Sequence, residues 1–297
     1  MNEVSRMSLY RRVRSGLSAA VVGCLIVLSV QDCFAYDASL LQRLRQGVSA
    51  WNQFRKDNPS YVIDLSMADL QDTRLKGINL SKAKLKKVNF ADANLVEADL
   101  SGAFLEGANF KGANLSRGKV SDAELTEADL SRGFFIETDF SRSSLTRTTM
   151  QQSVFVNATF TGANMSWSDI GNTGLDFAEI AGAKLVGVNL KKASLRSVNF
   201  AGADLRDANL VEVDLRNADL SKADLRGASL SFSDNMAAAT LKNADLTFAN
   251  LVNTDLKGAE IENANFFGAS ISGKTILPNG SRGNAEWAQA REAQFVE

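Results

Sequence analysis

The sequence predicts an all-β solenoid, in which short extended sides joined by corners wind round a single hydrophobic axis. Three observations predict it. First, a large apolar residue returns at every fifth position, from Leu65, Leu70, Leu75 and Leu80 through Phe90 and Leu100 to Leu230, 34 times in succession. After one added residue the beat resumes at Met236 and runs through Leu241, Leu246, Leu251, Leu256, Ile261, Phe266 and Ile271 to Ile276, nine more. Second, a small or β-branched residue stands two places before each, as in Ala68, Thr73, Ile78, Ala83 and Val88. Third, the residue between the two is usually polar, as in Asp69, Asn79, Asn89, Asn94, Asp99 and Asn109. A period of five fits neither regular element. Five helical residues advance about 500°, which spirals the leucines round every face. An odd spacing on a straight strand sends them to alternate faces. One face stays inward only if the chain turns a corner once per unit.

Stretches such as ANLVEADLSGAFLEGANFKGANL (93–115) and ADLRDANLVEVDLRNADLSKADLRGASL (203–230) carry the pattern A-(D/N)-L-x-x. In this the chain resembles the pentapeptide repeat family. The resemblance covers residues 61–277 and implies a right-handed quadrilateral parallel β-helix with four pentapeptides per coil. Some 43 units would then make about 11 coils spaced roughly 4.8 Å apart, a rod about 50 Å long.

The chain before the solenoid falls into two parts. Arg6, Arg11, Arg12 and Arg14 precede an uncharged apolar run, Gly16 to Val30, followed by Cys33-Phe34-Ala35. That is the layout of a signal peptide, residues 1–35. The run is short of the roughly 20 residues of a spanning helix, yet an inner-membrane anchor formed by residues 16–30 is the alternative if the leader is retained. Both cysteines, Cys24 and Cys33, lie in the leader, so the processed chain would carry no thiol and no disulfide. It would hold 29 basic and 32 acidic residues, a net charge of −3. Residues 36–60 are expected to form an N-terminal capping helix. Leu41, Leu44, Val48, Trp51 and Phe54 recur at helical spacing and Pro59 ends the pattern. A cap is needed because an open apolar coil end templates aggregation.

Within the solenoid, residues 131–180 depart most from the pattern. The small inward position becomes Gly133, Thr138, Ser143, Thr148 and Ser153, and large residues stand at outward slots, including Trp167. With 20 residues per coil, Phe134 lies beneath Val154 and Ile136 beneath Val156, with Phe177 one coil further on the same side. Phe134, Ile136, Val154, Val156 and Phe177 are therefore the candidate interaction patch, with Arg132, Arg142 and Arg147 on neighbouring faces as a polar rim. The competing reading is a loosened stretch of repeats with scattered exposed apolar groups. Arg196 and Arg216 share one outward column, and Arg206 and Arg226 another, among aspartates of a mixed solvated surface. The one-residue register break falls near 231–236 and reads as a bulge. Pro278-Asn279-Gly280 ends the repeats. Residues 278–297 form a tail in which Trp287, Ala290 and Phe295 have the spacing of a second capping helix.

The sequence contains no histidine, which removes His-based triads, general bases and metal ligands together. No Walker loop or dinucleotide fingerprint occurs. The carboxylates sit at the slot shared with Asn, as in the column Asp69, Asn89, Asn109, Asp129, where corner hydrogen bonding is their expected role. A coil filled by Leu and Phe leaves no lumen for a ligand. The expectation is a non-enzymatic scaffold with no cofactor, periplasmic or secreted, binding a protein partner or a second copy along one face. No nucleic-acid partner is expected, and a membrane one only if the leader is uncleaved. The resemblance offers two alternatives. One is a DNA mimic of the gyrase-protecting, quinolone-resistance type, which needs a strongly acidic flank. The other is a secreted bacterial effector or membrane-associated protein.

Cleavage after Ala35 is directly testable. N-terminal sequencing of the protein recovered from a bacterial periplasm should begin at Tyr36, whereas intact Met1 in the membrane fraction identifies an anchor.

Overall fold

The computed structural model describes residues 38–233, 236 and 238–296. The leader expected at 1–35 lies outside these residues. From Asp64 to Asp255 the sides of the coil contribute one bridging residue each, and these bridges are parallel and span one coil, while Ile276 makes an antiparallel bridge to Arg282. Asp64 pairs with Lys84, Asp69 with Asn89, Arg74 with Asn94 and Asn79 with Asp99, four columns that repeat every 20 residues. All 34 apolar residues of the beat from Leu65 to Leu230 are buried, as are nearly all the small residues two places before them.

The unit Asn89–Ala93 shows why five residues suffice. Asn89 N–H donates to Ala68 O at 2.9 Å in the coil before, and Phe90 N–H to Asn109 O at 2.7 Å in the coil after. Ala91 N–H donates to the side chain of Asn89 at 3.2 Å. Asp92 N–H donates to Lys111 O at 2.9 Å, and Ala93 N–H closes the corner onto Phe90 O at 3.0 Å. All five donors are used, so no buried backbone N–H is left unpaired. The corner is a type II turn, since only its second central residue, Asp92, has positive φ, at 57°. The same left-handed position recurs at the corners from Met67 to Gly268, filled by Gly at some, mostly by Lys, Asp, Glu, Arg or Asn at others, and by large apolar residues at a few. Left-handed backbone costs an L-residue about 1–2 kcal/mol, a strain the ladder bonds on both sides hold in place.

The irregular middle of the repeat is a densely packed aromatic core. Phe135 stacks on Phe155 at 4.7 Å and 11°, and Phe140 on Phe160 at 5.1 Å and 6°. Gly133 makes room for them: a Cβ there would lie 2.5 Å from Cε2 of Phe135. The hydroxyls at the other small positions are all satisfied. Thr138 and Ser153 donate to the carbonyls of Leu115 and Leu130 at 2.9 and 2.7 Å. Ser143 and Thr148 donate to Phe140 O and Leu145 O at 2.6 and 2.7 Å.

The register break is visible in the pairing. Bridges spaced by 20 give way to Asp219–Thr240, Asp224–Asp245 and Ser229–Asn250, spaced by 21, and return to 20 at Thr240–Glu260. Ser233 and Met236 are both buried but stand three apart instead of two, so the extra residue lies between them. Asp234, Asn235 and Ala237 are outside the described residues. The chain holds a second extra residue that the five-residue beat does not show. Asp255 pairs with Ile276 at a spacing of 21, and Leu277, 2% exposed, takes the inward place assigned to Ile276.

The expected single N-terminal helix is two, α1 (Ala38–Leu44) and α2 (Val48–Asp57). The break falls at Gly47, whose φ of 100° no helix accommodates. Side chains of α2 stand in for a missing coil. Trp51, fully buried, donates Nε1–H to Asn79 O at 2.8 Å. Asn52 donates to Gly77 O and accepts from Asn79 N–H, both at 2.9 Å, and Arg55 donates to Ser81 O at 2.8 Å.

At the far end, strand β1 (Ser270–Ser272) pairs in parallel with β2 (Gln294–Val296), and a short helix α3 (Ala285–Gln289) lies between them. Trp287 meets Phe266 edge-on at 5.2 Å, while Ala290 is exposed and Ala288 is the buried alanine. The tail is therefore one helical turn and a strand in place of a longer helix, and Phe295 belongs to the strand. Among the described residues no helix is long and apolar enough to cross a membrane.

Leu100 is fully buried and Lys111 exposed. Leu100→Ala should lower the unfolding free energy by about 2–5 kcal/mol, and Lys111→Ala by no more than about 0.5 kcal/mol. Denaturant midpoints of the two variants measure the difference.

Candidate interaction surface

The five apolar residues come together on one edge of the rod. Phe134 bridges to Val154, and above Val154 the column continues with Gly174 and Ser194. Ile136 and Val156 occupy the corner that follows, and Phe177 its left-handed position one coil later, with φ 62°. Phe134 is 47% and Phe177 56% exposed. Ile136, Val154 and Val156 are half-buried, so the aromatic rings stand out and the aliphatic groups floor the patch. Nothing lies within 4 Å of where a Cβ on Gly174 would stand, which leaves a notch beside Phe177.

The rim differs from expectation. Arg132 lies on the corner before the patch, with Nε 3.3 Å from Gln152 Oε1. Arg142 lies on the corner after it, bound through two hydrogen bonds to Asp122 at 2.8 and 2.7 Å. Arg147 stands ten residues from Glu137 and hence at the diagonally opposite corner, facing Glu127 at 4.0 Å. It cannot rim this patch. The misplacement arises because neighbours in sequence are separated by a whole side of the coil.

Immediately beyond the patch sits a polar group the sequence reasoning missed. Asp176 is only 7% exposed. Its carboxylate accepts from Ser194 Oγ at 2.6 Å, from Arg196 N–H at 3.1 Å and from Arg196 Nε at 2.9 Å, with Nη2 of Arg196 as a further donor. Burial pushes its pKa up, but the hydrogen bonds from Arg196 and Ser194 outweigh burial and hold it below the usual carboxylate range. The next arginine in the column, Arg216, folds back instead onto Asp214 two residues earlier. Arg196 has Ser194 at that place and so reaches down one coil. Arg206 and Arg226 pair with Asp204 and Asp224 in the same local way.

Other exposed apolar groups lie elsewhere on the rod. Phe104 is 53%, Trp167 59%, Phe248 62% and Phe267 48% exposed. Phe248 and Phe267 touch edge-on at 5.7 Å. Trp167 and Phe248 lie across Gly187 and Gly268 of the following corner. Columns counted at 20 residues and corrected for the register break would have grouped these. The carboxamides and carboxylates of the repeat are occupied in the corners: Asp69 and Asp129 accept from Gln71 and Ser131 N–H at 3.3 and 2.9 Å. Among the described residues no group of three or more His, Cys, Asp or Glu could hold a metal ion.

Parallel columns, type II corners and a filled axis define a four-sided β-solenoid with its variable residues on the outside. The chain belongs to the pentapeptide repeat family, whose model matches residues 63–102, 93–132, 138–173, 175–210, 208–234 and 235–273. Among solved structures it is similar to HetL, a pentapeptide repeat protein involved in heterocyst differentiation regulation from the cyanobacterium Nostoc sp. strain PCC 7120. The identity is 28%, the match covers 78% of this chain and 98% of HetL, and the TM-score is 0.51. A second pentapeptide repeat protein from Nostoc PCC 7120 is 26% identical over 36% of this chain and 84% of that one, with a TM-score of 0.32. QnrB1, a plasmid-mediated fluoroquinolone resistance protein, is 16% identical over 80% of this chain and 91% of its own, at a TM-score of 0.27. No curated protein matches the sequence.

The Asp176 cluster generates a pH prediction. Because its pKa is depressed in the fold, its charge contributes stability above the ordinary carboxylate value of about 3.9, and that contribution is lost as pH falls through the lower folded value. Asp176→Asn should lower the unfolding free energy by about 1.5–3 kcal/mol near neutral pH, and the gap from the parent should close towards pH of about 2. Urea midpoints at the two pH values test both statements.

Proposed function

We propose that this protein is a non-enzymatic scaffold, periplasmic or secreted, that docks a partner protein or a second copy on the edge formed by Phe134, Ile136, Val154, Val156 and Phe177. The observation that carries the reading is the contiguity of that edge. Five large apolar groups fall within three adjacent coils, about 10 Å of rod, at slots that elsewhere mostly hold Asp, Asn, Ser, Lys, Arg or Gly. Leaving them wet contributes nothing to the coil, while covering them yields about 25 cal/mol per Å² of apolar surface. The close packing of Phe135, Phe140, Phe155 and Phe160 beneath speaks against a loosened stretch of repeats. The reading takes the rod as a right-handed quadrilateral β-helix of about 11 coils capped at both ends, which is a rigid platform. Likeness to HetL, a protein involved in heterocyst differentiation regulation, supports a regulatory part over a metabolic one. The DNA-mimic alternative wants an uninterrupted acidic flank, whereas here Asp204, Asp214 and Asp224 are each neutralised by a neighbouring arginine.

Replacing Phe134, Val154 and Phe177 together by Ser is the decisive variant. It should melt like the parent, since all three point outward, and should lose the parent's bound partner or its dimer mass in sedimentation. A variant that folds and keeps both sinks the proposal. Fractionating cells that express a tagged copy separates the compartments: periplasm or medium supports the reading, and cytoplasm favours the DNA mimic.

A further inference from the structure

The charge of the rod is divided along its axis. Residues 38–87 carry ten Lys and Arg against four Asp and Glu, a net of +6. Residues 88–297 carry 19 against 27, a net of −8. The positive end is also the end with exposed apolar groups in the first coils: Tyr61 is 43%, Val62 64%, Met67 58% and Phe104 53% exposed.

These features converge on one side. Lys82, Lys84, Lys86 and Lys87 are all exposed and run across that side from one corner to the next. Lys84 bridges Asp64 below and Phe104 above. Lys82 and Lys87 lay their stems over Gly102 and Gly107, the corners on either side of Phe104, at 3.5 and 3.3 Å from where Cβ atoms would be. With glycine at the left-handed place of each of those corners, the Phe104 ring stays 53% exposed. Lys86 pairs with Glu106 at 2.9 Å and Lys84 reaches Asp64 only at 4.0 Å. Lys82 and Lys87 pair with no carboxylate among the described residues.

We propose that this N-terminal end docks on an anionic lipid surface, with the four lysines among the headgroups and Val62, Met67 and Phe104 entering the acyl boundary. Interfacial binding needs this combination of clustered cations and protruding apolar groups. The acidic remainder of the rod is repelled by the same surface, beginning with Glu106 and Glu124 just beyond Phe104, so contact is confined to this side of the first coils and the rod tilts away beyond them. The described chain also begins at this end, and in the sequence the uncharged run Gly16–Val30 ends eight residues before Ala38. The basic end faces the bilayer if that run stays in it, and acts alone if it is removed. Nucleic acid would be drawn by the same charge and could stack on Phe104, but the aliphatic Val62 and Met67 beside it favour acyl chains, and competition with an oligonucleotide separates the two.

The test is flotation of the full chain with vesicles of phosphatidylcholine alone and of phosphatidylcholine mixed with phosphatidylglycerol. The parent should bind the anionic vesicles more strongly, and less so as salt rises. Lys82→Gln/Lys87→Gln should lower the partition coefficient by about 30-fold, at about 1 kcal/mol per lysine, and Phe104→Ser should lower it further. Lys119→Gln/Lys222→Gln, which removes the same charge from the acidic part, should change nothing. Equal binding by the parent and the Lys82/Lys87 variant overturns the proposal. So do equal losses in both double variants, or displacement of the vesicles by a mixed-sequence single-stranded oligonucleotide. Unchanged unfolding midpoints exclude misfolding as the cause.

Discussion

The structure depends on the bond each corner makes to the coil below and above it. A five-residue unit has five N–H groups, and in Asn89–Ala93 four of them are taken by backbone carbonyls and one by a side chain. That side chain explains why Asn or Asp so often precedes the large apolar residue, because a carbonyl or carboxylate oxygen at that spot is what the corner N–H can reach. It also explains why Met67, Lys87, Trp167 and Phe177 adopt left-handed backbone although none is glycine. Once the ladder is set on both sides, the corner has no other conformation that keeps its bonds. Backbone satisfaction therefore outranks residue preference along the whole rod.

A solenoid built this way has two ends where the ladder must stop. At the first coil the groups with no coil below them include Asn79 N–H and the carbonyls of Gly77, Asn79 and Ser81, and α2 meets these four with Asn52, Trp51 and Arg55. The carboxamide of Asn52 imitates a peptide group, donating and accepting at once. At the other end the chain itself turns back, so Gly268 N–H reaches Glu292 O and Gln294 N–H reaches Ala269 O, both at 2.7 Å. The two ends solve one problem by different means, side chains at one and a strand at the other.

How much was legible follows from which features obey the five-residue period. Inward residues do, so the core from Leu65 to Leu230 could be read directly. Outward neighbours obey a period of 20, which holds only while no residue is inserted. That is why Phe134, Val154 and Phe177 group correctly and the Phe248–Phe267 pair, beyond the register break, does not; Arg147 falls on a different corner because five residues in sequence are a whole side of the coil. The five-residue beat points Ile276 inward with one insertion where the chain has two, and Leu277 is as apolar as its neighbour. The interruption of the N-terminal helix at Gly47 depends on a backbone angle that a helical pattern of Leu41, Leu44, Val48 and Trp51 does not reveal. The Asp176–Arg196 cluster needs both the coil period and the absence of a carboxylate at Ser194, a combination no motif announces.

Separating an inward code from an outward one has a functional consequence. A change at Phe134 or Lys82 leaves the axial packing untouched, and these two positions, more than two coils apart, have no bridge or ion-pair partner in common, so their effects should add. The rod can then carry distinct surfaces at different heights without compromise between them. The apolar edge near the middle and the basic side at the N-terminal end are separated in this way, with Asn94 and Asn114 filling the column below Phe134. The aromatic stacks of Phe135, Phe140, Phe155 and Phe160 lie directly beneath the apolar edge. Close-packed rings resist the small backbone shifts that would let such an edge bury itself, so the chain keeps these groups outward where a second surface can reach them.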